Sequence, residues 1–388
     1  MIYLDNAATT KVNKEVLKAM LPYYSKMFGN ASEPHNLGYE SKIAIEKARN
    51  YVAKFIGASG ENITFTGSAT ESINLAIKGL VEQMQKEYPN TKFHIITTPI
   101  EHKAVLETCK HLERLGWVEV EYLPVSNTGL INPEDVEKAI KENTILVSVM
   151  LVNNEVGTIE PVNAIGRKLK GVKKDIPCYF HSDVTQAVGY VPINALELNL
   201  DMMSFSGHKI CAPKGLGVLF RGYNVNLVRQ VDGGGQESGL RAGTENIPYI
   251  VGLRKALELI DFEDSKRVTF LRQKLINGVL KIKDVILTGD KFQRVPHIAS
   301  FIINGLEGES LVLLLSNMGI MASSGSACNS NDLAPSHVLT AMGFKPEESH
   351  GSIRFSLGKE TTEQEIDRVI KVLPGIVKTL RSYSPIYG

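Results

Sequence analysis

The chain has 388 residues, of which 43% are hydrophobic and 22% are charged, and its formal net charge is +1. This composition is typical of a soluble globular protein with more than one domain. The near-neutral charge argues against nucleic acid or an anionic membrane surface as a direct partner, and no apolar run reaches the roughly 20 residues of a spanning helix.

The N-terminal segment MIYLDNAATT has neither the basic start nor the apolar stretch of a secretory signal, so we expect a cytoplasmic protein. The four cysteines are widely spaced and form no C-x-x-C pair or zinc-ligand set; they are Cys109, Cys178, Cys211 and Cys328. Free thiols in a reducing compartment fit this spacing better than disulfides do, and we expect no metal site.

Strands and helices alternate from about residue 14 to residue 250. Seven apolar or β-rich runs predict strands, namely NITFTG, KFHIITT, WVEVEYL, TILVSVMLV, CYFHSDV, MMSFSG and GVLF. Helices are predicted at ESINLAIKGLVEQMQKEY, EHKAVLETCKHLERLG and PEDVEKAI. Apolar strands that alternate with helices are typical of a largely parallel sheet covered on both faces. We therefore predict an α/β fold with a large domain over residues 14–255, built on a mostly parallel seven-stranded sheet.

After about residue 250 the pattern changes to a mixture typical of an α+β domain. A long helical stretch, IVGLRKALELIDFEDSKRVTFLRQKLINGVL, precedes the strand HIASFIING and the helix ESLVLLLSNMG. A loop of small residues at about 323–335 carries Cys328, and the strand SIRFSLG and the helix TEQEIDRVIKVLPGIVKTLRSY follow. We predict that residues 1–13 and 256–388 form this smaller domain.

Polar residues follow several predicted strands, at the sheet edge where open α/β sheets bind ligands. Lys209 lies in the turn SGHK after one strand, and Asp183 ends another. A buried aspartate needs a charged partner, and a protonated pyridine nitrogen is one such partner. A Schiff-base lysine together with an aspartate on a pyridinium nitrogen is the protein signature of pyridoxal 5′-phosphate. Taken alone, Lys209 also fits a solvated surface position.

The segment TGSATES, residues 66–72, joins a predicted strand to a predicted helix. Its small residues allow backbone N–H groups to approach a phosphate at the positive end of the helix dipole. A plain N-cap around Thr70 is the alternative. His102 and Asn154 also follow strands, where they are placed to contact a cofactor ring and its hydroxyl. A structural polar role is the alternative for His102.

Nine motifs occur together in an order found in one known family. They are MIYLDNAATT, SATESINLAIKG, PIEHKAV, VNNEVGTIEPV, HSDVTQAVG, SFSGHKICAPKGLGVLF, GGGQESGLRAGTENIP, SSGSACNSNDLAPSHVL and SIRFSLG. Together they resemble the cysteine desulfurases, NifS/IscS-like enzymes of the fold-type I pyridoxal phosphate superfamily, over essentially the whole chain. The resemblance implies that Cys328 takes sulfur from L-cysteine as a persulfide and releases L-alanine. The flexible SSGSACNS loop would then carry the sulfur to an acceptor protein for iron–sulfur cluster assembly or tRNA thiolation.

The resemblance also implies the roles of individual residues. Lys209 would be the Schiff-base lysine, Asp183 the pyridinium partner and His102 a ring-stacking residue that takes part in proton transfer. Arg354 would bind the substrate carboxylate, and Thr244 would reach the phosphate of the other subunit in a homodimer. The implied phosphate contacts are Ala69, Thr70, Ser206 and His208, and the implied ring-hydroxyl contacts are Asn154 and Gln186.

The chain departs from the family pattern in two informative places. The stretch GNASEPH stands where the family commonly has Pro-Ser-Ser-x-His, which leaves the role of His35 open. Longer members continue past the position of SPIYG into a tail that docks the iron–sulfur scaffold, so the sulfur acceptor also stays open. The alternative functions are an aminotransferase, a selenocysteine lyase and a sulfur carrier without catalytic activity.

Overall fold

The computed structural model of the protein describes residues 1–325 and 335–383. The strands are β1 (Ile2–Tyr3), β2 (Ile63–Thr66), β3 (Phe93–Thr97), β4 (Val118–Tyr122), β5 (Thr144–Ser148), β6 (Tyr179–Asp183), β7 (Met202–Ser206), β8 (Gly217–Arg221), β9 (Val285–Leu287), β10 (Ile298–Ile303), β11 (Ile320–Met321) and β12 (Ser352–Ser356).

The helices are α1 (Lys14–Met20), α2 (Pro22–Ser25), α3 (Asn36–Phe55), α4 (Ala69–Glu87), α5 (Lys103–Arg114), α6 (Pro133–Ala139), α7 (Val162–Lys170), α8 (Ile247–Glu258), α9 (Glu263–Val279), α10 (Gly308–Asn317), α11 (His337–Ala341), α12 (Pro346–Ser349) and α13 (Glu363–Ser382). Short 3₁₀ turns occur at Gly60–Asn62, Gly207–Lys209 and Glu237–Gly239. None of the helices in the described part of the chain combines the length and hydrophobicity that crossing a lipid bilayer requires.

The predicted seven-stranded sheet is confirmed, and each of the seven runs forms one of its strands. The strand order is β2-β8-β7-β6-β5-β3-β4, and β8 alone runs antiparallel to its neighbours. Both faces are covered, since Ile95 of β3 packs into one apolar cluster and Ile96 into another. The predicted apolar face of α4 is buried over its whole length, at Ile73, Ala76, Ile77, Leu80 and Met84.

A second set of elements forms a smaller sheet in the order β12-β10-β9, with all pairs antiparallel, and β1 pairs with β11 in parallel. A separate apolar cluster joins these strands to α9 and α13. Helix α8 packs into the apolar core of the large sheet, whereas α9 packs into the core of the smaller sheet. The chain therefore passes from one core to the other between α8 and α9. The predicted domain division at residue 255 lies near this change and stays a prediction.

The helical stretch predicted after residue 250 consists of two helices, α8 and α9. Helix α8 ends at Glu258, and the Oδ1 atom of Asp261 accepts the backbone N–H of Glu263 at 2.9 Å. This side-chain turn provides the first N–H of the next helix with an acceptor, which favours a new start over a continuous helix.

Candidate active site

Most of the predicted site residues line one cavity of about 240 Å³ at the carboxyl ends of β5, β6 and β7. Parallel strands place the loops that follow them at the same sheet edge, which brings together residues far apart in the chain. The predicted residues that line this cavity are Ala69, Thr70, His102, Asn154, Asp183, Gln186, Ser206, His208 and Lys209.

A buried carboxylate and a neutral imidazole both line this cavity. Asp183, at the end of β6, is 6% exposed, and its Oδ1 atom accepts the backbone N–H of Thr185 at 2.9 Å. The Nδ1 atom of His102 accepts the N–H of Ala104 at 3.1 Å, so the side chain caps α5. Burial lowers the pKa of His102; the negative charge of Asp183 opposes this and the positive charge of Lys209 adds to it. The neutral ring therefore carries its proton on Nε2.

Lys209 lies on the 3₁₀ turn that directly follows β7. Its Nζ atom donates to the carbonyl oxygens of Ala7 and Ala8, each at 2.6 Å, which ties the N-terminal segment to the cavity. Burial, together with the positive charges of Lys209 and Lys214, lowers the pKa of His208 to about 4. His208 is therefore neutral at physiological pH.

The N-terminus of α4 forms one end of the cavity. The N-cap is Ser68, whose Oγ atom accepts the N–H of Glu71 at 3.1 Å, so the segment does contain a cap, two residues before Thr70. The first two helical residues, Ala69 and Thr70, keep backbone N–H groups that no intrahelical carbonyl can reach. A Cβ atom on Gly217 would lie 2.2 Å from the backbone of Ser68, so only glycine allows β8 to approach this turn so closely.

The chemistry of these side chains fits pyridoxal 5′-phosphate. Lys209 offers a primary amine, and Asp183 offers a buried negative charge for a protonated ring nitrogen. The helix start at Ala69 and Thr70 offers N–H donors and a positive dipole end to a phosphate group. The individual roles stay predictions.

Arg354 lies on β12, beside the cavity. It is 8% exposed; Nη1 donates to the carbonyl oxygen of Asn154 at 2.8 Å, and Nη2 pairs with Oδ1 of Asp5 at 3.0 Å. Its Nε atom has no hydrogen-bond partner among the described residues. The guanidinium is thus held next to the cavity residue Asn154.

The predicted residue Thr244 and the unassigned His35 also lie outside the cavity. Thr244 is exposed and lines an adjoining hollow together with Gly67 and Arg241. His35 caps α3, because its Nδ1 atom accepts the N–H of Gly38 at 3.2 Å. This cap is a structural contribution of His35, whose role in the site stays open.

Cys328 lies outside the described residues, but both flanks of its segment are held beside the cavity. The N–H of Gly325 donates to Oγ of Ser352 at 3.2 Å. Ser336 donates to the carboxylate of Glu155, the neighbour of Asn154.

Three residues at or near the cavity were not predicted from the sequence. Thr185 and Lys214 line it, and Glu101 is completely buried behind it. Oε1 of Glu101 accepts the N–H of Met150 at 2.6 Å, and burial holds the pKa of this carboxyl well above its ordinary value. Their positions in the sequence could have indicated them, because each lies within five positions of a residue that was predicted.

Comparisons with known proteins agree with this geometry. The family model described as aminotransferase class-V matches residues 2–369. The cysteine desulfurase IscS of Methanosarcina thermophila is 47% identical, over 99% of this chain and 94% of that protein. A solved NifS-like protein superposes with a TM-score of 0.90 at 39% identity, over 98% of this chain and 100% of that one. The structure described as SspA in complex with cysteine gives a TM-score of 0.81 at 37% identity, over 93% of this chain and 100% of that one.

Proposed function

The chain belongs to the aminotransferase class-V family, among its cysteine desulfurases, and from this we propose that it converts L-cysteine to L-alanine and leaves the sulfur on Cys328. The observation that carries the proposal is the single cavity on which Lys209, Asp183 and the start of α4 converge. The segment with Cys328 is attached beside the same cavity, through Gly325 and Ser336.

The proposed reaction moves one sulfur atom. The carbon–sulfur bond of L-cysteine breaks, and a sulfur–sulfur bond forms between that sulfur and Sγ of Cys328. The substrate β-carbon gains a proton, so L-cysteine and a thiol become L-alanine and a persulfide without any external oxidant or reductant. When bound, pyridoxal 5′-phosphate supplies the electron sink that activates the amino acid for this cleavage.

The side chains of the cavity have separate tasks. Lys209 would hold the cofactor through Nζ, and Asp183 would keep its ring nitrogen protonated. Neutral His102, with Nδ1 engaged by the N–H of Ala104, has a proton on Nε2 that it can share with a group in the cavity. Arg354 would hold the substrate carboxylate, for which its planar guanidinium is suited.

We also propose a homodimer. Large apolar side chains are exposed on or beside α1, α2 and α3, at Leu17, Leu21, Tyr24, Phe28 and Tyr39. Such a surface favours contact with another protein. Thr244 is exposed and does not line the cavity of its own chain. This supports a contact between Thr244 and the phosphate group of the cofactor bound in the other subunit.

The persulfide would pass to an acceptor protein that serves iron–sulfur cluster assembly or tRNA thiolation. We place this exchange in the cytoplasm, and the free thiols of Cys109, Cys178 and Cys211 in the described part of the chain support a reducing compartment. This partner can be tested by immobilising the protein with its persulfide on a column and identifying the protein that removes the sulfur.

The experiment that tests the function follows one sulfur atom. Purified protein reconstituted with pyridoxal 5′-phosphate is exposed briefly to L-cysteine, and peptides are analysed by mass spectrometry. We expect one added sulfur on the peptide that contains Cys328, and one alanine for each sulfur transferred. Cys328→Ser should lose alanine formation because a hydroxyl is a far poorer nucleophile at neutral pH. Sulfur on Cys109, Cys178 or Cys211, or wild-type turnover by the Ser variant, would contradict the proposal.

The same preparation separates the alternative functions. An aminotransferase would convert an amino acid and a keto acid without any need for Cys328. A selenocysteine lyase would turn over selenocysteine much faster than cysteine. A sulfur carrier without catalytic activity would not bind pyridoxal 5′-phosphate.

A further inference from the structure

A buried network lies behind the cavity, on the side of Gln186. His297, just before β10, is 1% exposed, and its ring stacks on that of Tyr190 with centroids 3.8 Å apart and planes 14° from parallel. Its Nε2 atom lies 3.2 Å from Oε1 of Gln186. On the other side, Nε2 of Gln186 donates to the carbonyl oxygen of Ala7 at 2.9 Å. The same carbonyl accepts a hydrogen bond from Lys209.

The direction of these hydrogen bonds follows from the acceptor at Ala7. A carbonyl oxygen only accepts, so the Gln186 amide must turn its nitrogen toward Ala7 and its oxygen toward His297. The Nε2 atom of His297 must therefore carry a proton. Burial, and then the positive charges of Arg354, Arg272 and Lys209, lower the pKa of His297 well below its ordinary value, so its ring is neutral.

A neutral imidazole has one N–H group, and here it lies on Nε2. The Nδ1 atom of His297 is buried and has no partner among the residues that the structure describes. The ring thus directs its single donor at Gln186. The amide of Gln186 has two N–H groups, of which Ala7 takes one, and its side chain lines the cavity.

We propose that His297 is a positioning residue that holds the Gln186 amide with its N–H groups toward Ala7 and the cavity. The proposal rests on the proposed function, in which Gln186 contacts the ring hydroxyl of pyridoxal 5′-phosphate. With the amide rotated by 180°, Oε1 would face the carbonyl of Ala7 and would turn toward the cavity in place of an N–H group. That orientation loses the hydrogen bond to Ala7 and brings two oxygen atoms together.

The rival explanation is that His297 only fills space against Tyr190, and two variants separate the two roles. His297→Phe keeps a flat ring against Tyr190 and removes the donor, whereas His297→Gln removes the ring and keeps an amide donor of similar reach. The apoprotein of each variant is titrated with pyridoxal 5′-phosphate, and the visible absorption maximum of the complex is recorded.

If His297 orients Gln186, the Phe variant should bind pyridoxal 5′-phosphate about three- to tenfold more weakly, and its absorption maximum should move. The Gln variant should stay within about twofold of the wild type, with the wild-type maximum. Wild-type affinity and spectrum in the Phe variant, or a larger loss in the Gln variant than in the Phe variant, would overturn the proposal.

A double-mutant cycle with Gln186→Ala tests whether the effect passes through Gln186. In that background His297→Phe should change the cofactor affinity by less than about twofold. Equal effects in both backgrounds would overturn the proposal. Tyr190→Leu keeps the test decisive if the Phe variant folds poorly, because it removes the stacked ring and leaves the hydrogen bond. Near wild-type cofactor affinity in Tyr190→Leu supports the proposal, and a loss above tenfold contradicts it.

The outcome also separates this proposal from the proposed function. If the wild-type protein binds no pyridoxal 5′-phosphate, the proposed function fails before any variant is compared. If the wild type binds it and forms alanine while the Phe and Gln variants behave alike, only the role of His297 is refuted.

Discussion

Asp183→Asn removes one negative charge from the cavity and changes little else. Oδ1 of Asp183 accepts the N–H of Thr185 at 2.9 Å, and the Oδ1 atom of asparagine can accept the same bond. The fold should therefore lose little stability. What is lost is the anionic partner of the cofactor ring nitrogen, in a site where the carboxylate is only 6% exposed.

The expected effect follows from the strength of a buried hydrogen bond to a charged group. Such a bond contributes about 1.5–3 kcal/mol, which corresponds to roughly a ten- to hundredfold lower rate if all of it appears in the barrier. The assay is the rate of alanine formation from L-cysteine at saturating pyridoxal 5′-phosphate, with cofactor occupancy measured by absorbance.

Asp201→Asn is the matched control. Asp201 directly precedes β7, at the sheet edge opposite the cavity, and its Oδ2 atom accepts the N–H of Phe180 at 2.8 Å. We expect alanine formation in this variant to stay within about twofold of the wild type. If Asp183→Asn, fully loaded with cofactor, is as active as Asp201→Asn, then Asp183 does not support the chemistry.

Three further predictions use other residues. Lys209→Ala should form no alanine; borohydride should fix the cofactor on the wild type but not on this variant, and wild-type turnover by the variant would exclude Lys209 as the attachment point. Arg354→Lys should raise the KM for L-cysteine about tenfold or more, since an ammonium cannot form the paired hydrogen bonds of a guanidinium; an unchanged KM in steady-state kinetics would exclude this contact. Burial raises the pKa of Glu160 from 4.5 to about 8, so the folded state retains a proton that the unfolded state loses. As the pH rises between those two values, the wild type should therefore lose stability relative to Glu160→Gln, by up to about 1.4 kcal/mol per pH unit. Urea unfolding of both proteins at pH 6 and 8 measures this change. A difference in unfolding free energy that is the same at both pH values would mean that the carboxyl is ionised in the folded state as well.

Local patterns were sufficient to predict the seven-stranded sheet and several of the helices that cover it. The seven strand runs were readable because each is a continuous apolar segment bounded by polar or small residues, and their order in the chain alternates with helices. The residues at the strand ends followed from a general rule for open sheets, which does not depend on the exact strand order. The chemical type of the side chains then led to the prediction that Lys209 and Asp183 bind the cofactor.

Other features were not available from local patterns. Strands β1 and β11 have two residues each, too few to display a period, and they form only because they pair with one another. Helix α3 was missed although its apolar residues recur along one face, because no strand signal precedes it. The division between α8 and α9 depended on a single side-chain bond from Asp261.

The contacts that complete the site were decided by tertiary structure alone. Lys209 reaches the carbonyls of Ala7 and Ala8 about 200 positions away, and His297 reaches Gln186 from the other sheet. Backbone carbonyls carry no sequence signal, and the direction of an amide or an imidazole proton depends on its neighbours in space. The sequence by itself therefore determined which groups could carry the chemistry, because residue type and position at a strand end are local properties. Only the folded chain decided how those groups are oriented, because hydrogen bonds between distant segments set that orientation.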